Sequence, residues 1–350
     1  MRLALDAMGG DHAPAAAVEG ALLFARESPP HHVVLVGDAP RVEEVLQRLG
    51  HRAPNLSVRH ATQVVDMGDG AAASIRQKKD SSLRVCFELV ERGEADAVVS
   101  AGHSGAVMAG ALLVLGRMRL VERPAVAALF PALRGGGRCL LLDAGANVEC
   151  KPSHLAQFAV MGEAYVRAVL HRPRPRVAIL SNGEEPSKGT DLTRQALALL
   201  KRSALDFRGY VEGKDIFSGE VEVVVTDGFT GNVVLKTSEG TAMAVAGLIR
   251  TAVEKAGIGE KLGALLLTPT FAGLKKVVDY AEYGGAPLLG VDGVAIVAHG
   301  RSSPKAVKNA LFAALANAQV HLKEEIAAAL DRAAQWLPKR AGRKVEEAGE

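Results

Sequence analysis

Aromatic side chains are scarce in this sequence, since Phe, Trp and Tyr make up 4% of its 350 residues. Proteins that hold single-stranded nucleic acid stack the bases on such rings. The formal net charge, +3 at pH 7, is also small for a chain of this length, so no strong positive field would attract a phosphate backbone. Nucleic acid is therefore not the expected partner.

Cysteine is equally scarce, with three residues, Cys86, Cys139 and Cys150, and no CxxC spacing. An odd count without paired spacing predicts neither a disulfide framework nor a structural zinc site. The sequence also lacks P-loop, HExxH and GxSxG motifs. We therefore expect no bound metal ion and no cofactor, and thiols that are buried in a reducing compartment.

Long hydrophobic runs are missing as well. No stretch approaches the roughly 20 apolar residues that a membrane-spanning helix needs. The first apolar run is interrupted by Asp6, which is incompatible with a secretory signal. The sequence therefore predicts a cytoplasmic protein.

Short apolar runs alternate with segments of helical periodicity. The predicted strands lie at residues 3–7, 33–36, 97–99, 125–130, 140–142, 177–180, 221–225 and 294–297. The predicted helices between them include 15–26, 41–49, 83–92, 155–170 and 192–201. This alternation predicts an α/β, Rossmann-like fold, in which helices sandwich a largely parallel sheet.

Small and polar residues follow six of these strands, each time next to glycine. These strand ends lie at residues 6–11, 100–105, 143–147, 181–185, 226–232 and 299–303. In a parallel sheet all six would lie at one edge, where open α/β folds bind their ligands. We therefore expect the active site along that edge.

The first strand end contains Gly9 and Gly10, which let the backbone approach a ligand closely, and it leads into a helix N-terminus that attracts anions. The alternative is a tight turn in which Asp11 caps the helix. The segment does not match GxGxxG, and no acidic residue ends the second strand where a ribose would need one. Nicotinamide binding is weakly supported for that reason.

Two later strand ends carry the strongest candidates. Lys188 precedes the helix cap at Thr190 and Asp191, where a cation opposes the helix dipole unless an anion shares the site. This position therefore favours phosphate. Asn232 is either an oxyanion donor for a substrate carbonyl or a helix cap.

A short basic cluster at Arg76, Lys78 and Lys79 has two interpretations. It is either a solvated face or a contact for phosphate or an acidic carrier protein.

The region from 241 to 283 reads as two long helices, at about 241–255 and 260–280, rather than as further strand–helix units. Its apolar tip would pack in the core, in a dimer interface, or against a membrane surface or acyl chain. The predicted organisation is one α/β domain over residues 1–335, with this pair inserted, and a charged, disordered tail at 336–350.

Several long motifs, in order from residue 1 to about 325, resemble those of the bacterial phosphate acyltransferases of phospholipid synthesis. They lie at residues 6–14, 73–82, 143–147, 182–185 with 188–189, 228–232, 283–292 and 298–303. The resemblance implies a fold like that of phosphotransacetylases and isocitrate dehydrogenases. It also implies a homodimer, attached peripherally to membrane in some members.

By this resemblance, the chain transfers a fatty acyl group from acyl-carrier protein to inorganic phosphate. Lys188 and Asn232 are the implied catalytic residues. Residues expected to bind substrate or phosphate are Asp6, Gly9, Gly10, Asp11, His103, Ser104, Asn147, Asn182, Glu184, Gly231 and His299. The family pattern has Ala-Gly-Asn-Thr-Gly-Ala where this chain has His103 and Ser104, so the role of His103 stays open.

Two other functions remain as alternatives. One is an NAD-dependent dehydrogenase of similar fold, and the other is a non-catalytic protein that binds phosphate or an acyl group. Phosphate is itself a nucleophile, so an acyltransferase needs only to position it and to stabilise the oxyanion. This requirement is consistent with the absence of an obvious acid–base pair.

Overall fold

The computed structural model of the chain describes residues 1–50, 53–134, 137–268, 270 and 284–338. Eleven strands in this part of the chain form one sheet in the order β3-β2-β1-β4-β11-β10-β5-β6-β9-β7-β8. Most neighbouring strands are parallel and helices cover both faces, so the predicted fold class is confirmed.

The bounds of the elements are as follows. The strands are β1 (Arg2–Asp6), β2 (His32–Gly37), β3 (Leu56–His60), β4 (Ala97–Ser100), β5 (Ala125–Pro131), β6 (Arg138–Leu142), β7 (Arg176–Leu180), β8 (Asp206–Val211), β9 (Val223–Val225), β10 (Ala286–Leu289) and β11 (Ala295–Val297). The α-helices are α1 (Ala15–Glu27), α2 (Ala39–Arg48), α3 (Ala71–Gln77), α4 (Ser82–Glu91), α5 (Ser104–Gly110), α6 (Pro152–Val169), α7 (Asp191–Leu200), α8 (Gly228–Lys255), α9 (Ile258–Leu266), α10 (Pro304–Gln319) and α11 (Leu322–Ala333).

The central strands are buried on both faces. Their sequences are runs of valine, leucine, isoleucine and alanine, as in β4 (Ala97–Ser100) and β9 (Val223–Val225), which are buried throughout. Continuous apolar runs of this kind are typical of parallel strands covered by helices on both sides. Separate apolar clusters lie on the two faces of each half of the sheet.

The expectation that all six strand ends share one edge is wrong. Strand β10 is antiparallel to both β11 and β5, and β5 is antiparallel to β6. These reversals make β6, β9, β7 and β8 run opposite to β1, β4 and β11. The polar strand ends therefore form two groups, one for each half of the sheet.

Helix α8 begins earlier than the sequence predicts. It starts at Gly228 and spans 28 residues, because Asp227 caps its first turn and Gly240 does not interrupt it. Gly228 and Gly231 are its buried residues, and large apolar side chains farther along it, such as Leu248 at 71%, are exposed. The core interpretation of this segment is therefore wrong for its described part.

The second helix of the predicted pair is described only in its first part. Helix α9 (Ile258–Leu266) follows α8, whereas Pro269 and residues 271–283 lie outside the described residues. Among the helices that the structure describes, none has the length and apolar character needed to cross a membrane.

The packed part of the chain extends past residue 335. Trp336 and Leu337 pack, partly buried, against the core that contains α6 and α11. Residues 339–350 of the predicted tail lie outside the described residues.

Two glycines in helices provide a test of this packing. A Cβ on Gly20 would lie 2.6 Å from the Val307 Cβ, whereas a Cβ on Gly240 would meet nothing within 4 Å. We expect Gly20→Ala to lower the free energy of unfolding by about 1–3 kcal/mol, because α1 must move away from α10. Gly240→Ala should raise it by about 0.5–1 kcal/mol, because alanine favours the helix. Urea denaturation of both variants measures the difference, and equal effects would contradict the described packing.

Candidate active site

The loop after β6 is organised by the buried carboxylate of Asp143. Its Oδ1 accepts hydrogen bonds from the backbone N–H groups of Val126, Gly145 and Ala146 at 3.0, 3.1 and 2.9 Å. Its Oδ2 accepts from the backbone and side-chain nitrogens of Asn147 at 2.7 and 2.8 Å. Burial raises the pKa of the Asp143 carboxyl, and these hydrogen bonds act in the opposite direction. One side chain thus fixes residues 143–147.

The first turn of α8 rests directly on this loop. The Gly228 N–H donates to the Asn147 carbonyl at 2.7 Å. A Cβ on Gly228 would lie 2.7 Å from the Asn147 carbonyl oxygen, and a Cβ on Gly231 would overlap the Asp143 carbonyl oxygen. Only glycine permits backbones to approach this closely.

This contact positions Asn232. Its Cβ, Cγ and Oδ1 atoms lie 3.6 Å from the point that a Cβ on Gly145 would occupy, so the amide lies against the backbone of the loop. Gly145 has a φ of +138°, which an L side chain rarely adopts. The Asn232 side chain is exposed and makes no hydrogen bond within the described part of the chain. Helix α8 is capped by Asp227 instead, so the capping alternative for Asn232 is excluded.

The loop after β7 carries Lys188. The Asn182 Oδ1 accepts from the Gly189 N–H at 3.0 Å, and Gly189 has a φ of +82°. The aliphatic part of Lys188 lies over Gly183, where a Cβ would be 2.9 Å from the Lys188 Cγ. Lys188 is exposed and forms no ion pair with any residue that the structure describes. Its ammonium group is therefore available to an anion.

Lys188 and Asn232 lie at the same edge of the sheet. They follow β7 and β9, which are adjacent parallel strands. The structure thus places the two residues predicted to be catalytic on loops at the same edge of the sheet. Glu184, in the same loop as Lys188, lies 3.5 Å from Lys214 in an exposed ion pair.

Three hydroxyl groups lie together beneath Gly189, in a cluster that was not predicted from the sequence. Oxygens of Ser181, Thr193 and Tyr210 surround the point that a Cβ on Gly189 would occupy, with the Ser181 and Tyr210 oxygens at 3.3 Å. The Tyr210 hydroxyl is buried without a hydrogen-bond partner among the described residues. Only the strand pairing of β7 and β8 brings Tyr210 here, so no local sequence pattern marks it.

The other half of the sheet holds the second group of predicted residues. Asp6 is buried, and its carboxylate accepts from the Ser100 hydroxyl at 2.7 Å and the Met8 N–H at 3.2 Å. Burial raises the pKa of Asp6. A Cβ on Gly9 would lie 2.6 Å from the Asp6 Oδ2 and 2.8 Å from the Gly102 nitrogen. Asp6 therefore lies behind the Gly9 loop rather than at its surface.

Gly10 and Asp11 pack on the loop after β11. The Asp11 N–H donates to the Gly300 carbonyl at 2.8 Å, and Gly10 has a φ of +99°. In the same loop the His299 Nδ1 accepts from the Arg301 N–H at 3.1 Å. Asp11 and His299 are both exposed at this edge.

His103 has a definite structural role. Its Nδ1 accepts from the Ala106 N–H at 3.1 Å and so caps α5. Ser104 is the first residue of that helix and is exposed. Asparagine is also a good helix cap, so histidine in this position can replace the amide of the family pattern as a cap.

The three basic residues near α3 differ in their surroundings. The Lys78 Nζ lies 2.6 Å from Asp69 and donates to the Val64 carbonyl at 2.8 Å. The hydrogen bond that the Lys78 ammonium donates to the Asp69 carboxylate raises the pKa of Lys78. Arg76 and Lys79 are exposed. Lys78 therefore secures the neighbouring loop, whereas Arg76 and Lys79 point to solvent.

No cluster of three or more metal-binding side chains exists among the described residues.

The Asp143 network predicts a difference between two neighbouring carboxylates. We expect Asp143→Asn to lower the free energy of unfolding by about 1–3 kcal/mol, because an amide nitrogen would face backbone N–H groups. Asp227→Asn is the control, since asparagine caps a helix as well as aspartate. Chemical denaturation of both variants measures this, and a neutral Asp143→Asn would refute the role assigned to Asp143.

Comparison with solved structures supports the fold. A phosphotransacetylase from Streptococcus pyogenes matches with a TM-score of 0.61 at 15% identity, over 95% of this chain and 94% of that one. The EutD phosphotransacetylase from Staphylococcus aureus matches with a TM-score of 0.57 at 17% identity, over 91% and 94%. A 4-hydroxythreonine-4-phosphate dehydrogenase from Klebsiella pneumoniae also matches, with a TM-score of 0.51 at 14% identity over 95% and 97%. Identities this low show a shared fold only.

Sequence comparison is more specific. A protein named phosphate acyltransferase from Myxococcus xanthus is 66% identical over 352 aligned residues, which cover 100% of this chain and 99% of that protein. Another of that name from Geotalea uraniireducens is 53% identical, over 93% of each chain. The family model described as "Fatty acid synthesis protein" matches residues 1–324. The resemblance stated from the motifs is thereby confirmed, and the chain belongs to this family of fatty acid synthesis proteins, together with its relatives named phosphate acyltransferase.

Proposed function

We propose that this chain is a phosphate acyltransferase that transfers a fatty acyl group from acyl-carrier protein to inorganic phosphate. The product, an acyl phosphate, would supply phosphatidic acid synthesis. Family membership supports the reaction class. The observation that carries the site is the placement of Lys188 and Asn232 after adjacent parallel strands, with no side-chain partner for either among the described residues.

The chemistry needs few protein groups. A phosphate oxygen attacks the thioester carbonyl carbon, a C–O bond forms, and the C–S bond breaks as the carrier thiolate leaves. The Lys188 ammonium binds and orients the phosphate, which is the nucleophile. The Asn232 amide N–H donates to the carbonyl oxygen as negative charge develops on it. A thiolate leaves without strong acid assistance, so no general acid is required.

In this proposal, the loops after β1, β4 and β11 border one substrate cleft together with the loops that carry Lys188 and Asn232. Adjacent strands rotate by about 20–25°, so the four steps from β11 to β9 turn the sheet by roughly 90°. Two edges that would be opposed in a flat sheet then become roughly perpendicular. Gly9, Gly10, Asp11, Ser104 and His299 would line the cleft from that side and contact substrate. Exposed Asn182 and Glu184 would border it beside Lys188.

The buried members of the predicted site have a different role in this proposal. Asp6 and Asn147 use their polar atoms within the protein, so they position loops instead of contacting substrate. Gly231 provides the close approach that sets the position of Asn232, and His103 caps α5.

We further propose that the chain forms a homodimer through the outer part of α8. Val245, Leu248 and Ile249 are exposed at 49%, 71% and 40% along that helix. Leu265 and Leu266, exposed at 67% and 81% in the 260–280 region, would contact a membrane surface peripherally. Clustered apolar surface of this kind marks interaction sites.

Lys188 provides the main test of the reaction. We expect Lys188→Ala to lower kcat at least about a hundredfold, because a charged group that binds the reacting anion is lost. Lys214→Ala is the matched control, since Lys214 is exposed and pairs with Glu184 and Glu212 instead. The measurement is phosphate-dependent consumption of acyl-acyl-carrier protein, with acyl phosphate trapped by hydroxylamine. Near-normal turnover by Lys188→Ala would eliminate this assignment.

We also propose that the basic cluster near α3 contacts acyl-carrier protein. This contact predicts that reversing the charge of Lys79 changes the KM for the acyl donor, whereas reversing that of Lys201 does not. Reversing Lys79 to Glu should raise the KM for acyl-acyl-carrier protein about two- to fivefold, the size of one exposed ion pair, and this effect should shrink with added salt. Lys201→Glu, an exposed reversal after α7, should leave the KM unchanged. Lys78→Glu is a poor test, because it also removes the contacts with Asp69 and Val64. An unchanged KM in Lys79→Glu would reject the contact.

A further inference from the structure

Exposed apolar side chains border the candidate site next to Asn232. Val148, Phe229 and Val233 are exposed at 68%, 62% and 50%. Val148 and Phe229 each follow one partner of the hydrogen bond between Asn147 and Gly228. Val233 directly follows Asn232. These three residues thus lie on the two segments that fix the Asn232 amide.

The polar groups of the same segments are turned inward or paired locally. Asp143 and Asn147 bond to each other and to the loop backbone, with the Asn147 Nδ2 also donating to the Pro124 carbonyl at 2.7 Å. Asp227 accepts from the backbone and hydroxyl of Thr230 at 2.9 and 2.8 Å. The Asn232 amide, which has no partner among the described residues, is thus bordered by exposed apolar side chains. Small-molecule sites combine a few polar groups with apolar side chains in this way.

We propose that Phe229 and Val148 are specificity-determining residues that contact the acyl chain of the donor. This inference rests on the proposed function. When the thioester carbonyl is hydrogen-bonded to the Asn232 amide, the methylene groups next to it must pass over the neighbouring side chains. Apolar contacts gain free energy with each methylene removed from water, so these residues favour a fatty acyl donor over an acetyl donor, which has no methylene group.

Helix α8 extends the apolar path beyond these residues. At 100° per residue, Phe229, Val233, Met243 and Gly247 lie on one face, and Met243 is exposed at 71%. The distance along the axis from Phe229 to Gly247 is about 27 Å at 1.5 Å per residue. Lys236 also lies on this face, where its ammonium pairs with Glu239 at 2.9 Å. Its aliphatic part can therefore border the chain while its charge remains satisfied.

This face is distinct from the one proposed to bind a second copy. Val245 and Ile249 lie roughly opposite Phe229 around the helix axis. They continue the side on which Val234 and Leu235 pack against the sheet. A substitution at Phe229 therefore removes the proposed acyl-chain contact and leaves the proposed dimer face unchanged.

The test compares donors that differ only in chain length. Phe229→Ala should lower kcat/KM for the palmitoyl donor about tenfold and for the acetyl donor, which has no methylene group, less than about twofold. Val148→Ala should act in the same direction with a smaller ratio. Leu133→Ala, an apolar residue exposed at 83% on the loop after β5, is the control and should change neither value. Size-exclusion chromatography of each variant reports its oligomeric state.

Equal losses for both donors, or no loss for either, would overturn the inference and leave the reaction intact. A change of oligomeric state in Phe229→Ala would also overturn it, because the residue would then face a second copy. A wild-type protein without acyl phosphate product would remove the proposed function and this inference together. If a variant fails to fold, a palmitoyl donor with a diazirine in its chain should label the Val148 or Phe229 segment of the wild-type protein, and labelling only elsewhere would count against the inference.

Discussion

The contact between the first turn of α8 and the loop after β6 is the constraint on which the candidate site depends. Gly228 and Gly231 meet the backbone of Asn147 and Asp143 at distances that leave no room for a Cβ. The loop can receive the helix only because the Asp143 carboxylate holds its N–H groups inward. The position of Asn232 and the outward direction of α8 both follow from this contact. A buried carboxyl group whose oxygens bond within the loop thus determines where the proposed oxyanion donor lies.

The reversal of strand direction in the middle of the sheet has a comparable effect on the whole molecule. Because β10 and β5 each pair antiparallel with a neighbour, the two halves present their carboxyl ends at different edges. A flat sheet would keep these edges apart, whereas the usual twist of about 20–25° per strand turns one toward the other. The proposed cleft between two sets of loops would follow from this topology together with the twist. The proposed reaction would use such a cleft to hold the phosphate oxygen against the thioester carbonyl carbon.

Much of the fold was predictable because its central strands are buried on both faces. Runs such as residues 97–99 and 177–180 are apolar and β-branched, and both proved to be strands. Strand β3 was missed because it is only partly buried and carries Arg59 and His60. Strand β8 contains Gly209 and charged residues, and β10 is short and contains Pro287. Apolar runs also carry no information about direction, so the reversals at β10 and β5 were not predictable from them.

The site residues show where prediction from residue type stops. Lys78 and Lys188 both precede a helix and both suit an anion, yet Asp69 neutralises Lys78 whereas Lys188 remains unpaired among the described residues. Asn147 and Asn232 differ in the same way, since the Asn147 amide nitrogen already donates hydrogen bonds to the Pro124 carbonyl and the Asp143 carboxylate. The chemical type of each residue is visible in the sequence, but whether folding has already used its hydrogen bonds depends on contacts between distant segments. Lys188 and Asn232 carry the proposed reaction because no side chain in the described part of the chain occupies their polar atoms. The apolar residues beside Asn232 are likewise exposed instead of packed in the core, so their surface is available to an acyl chain.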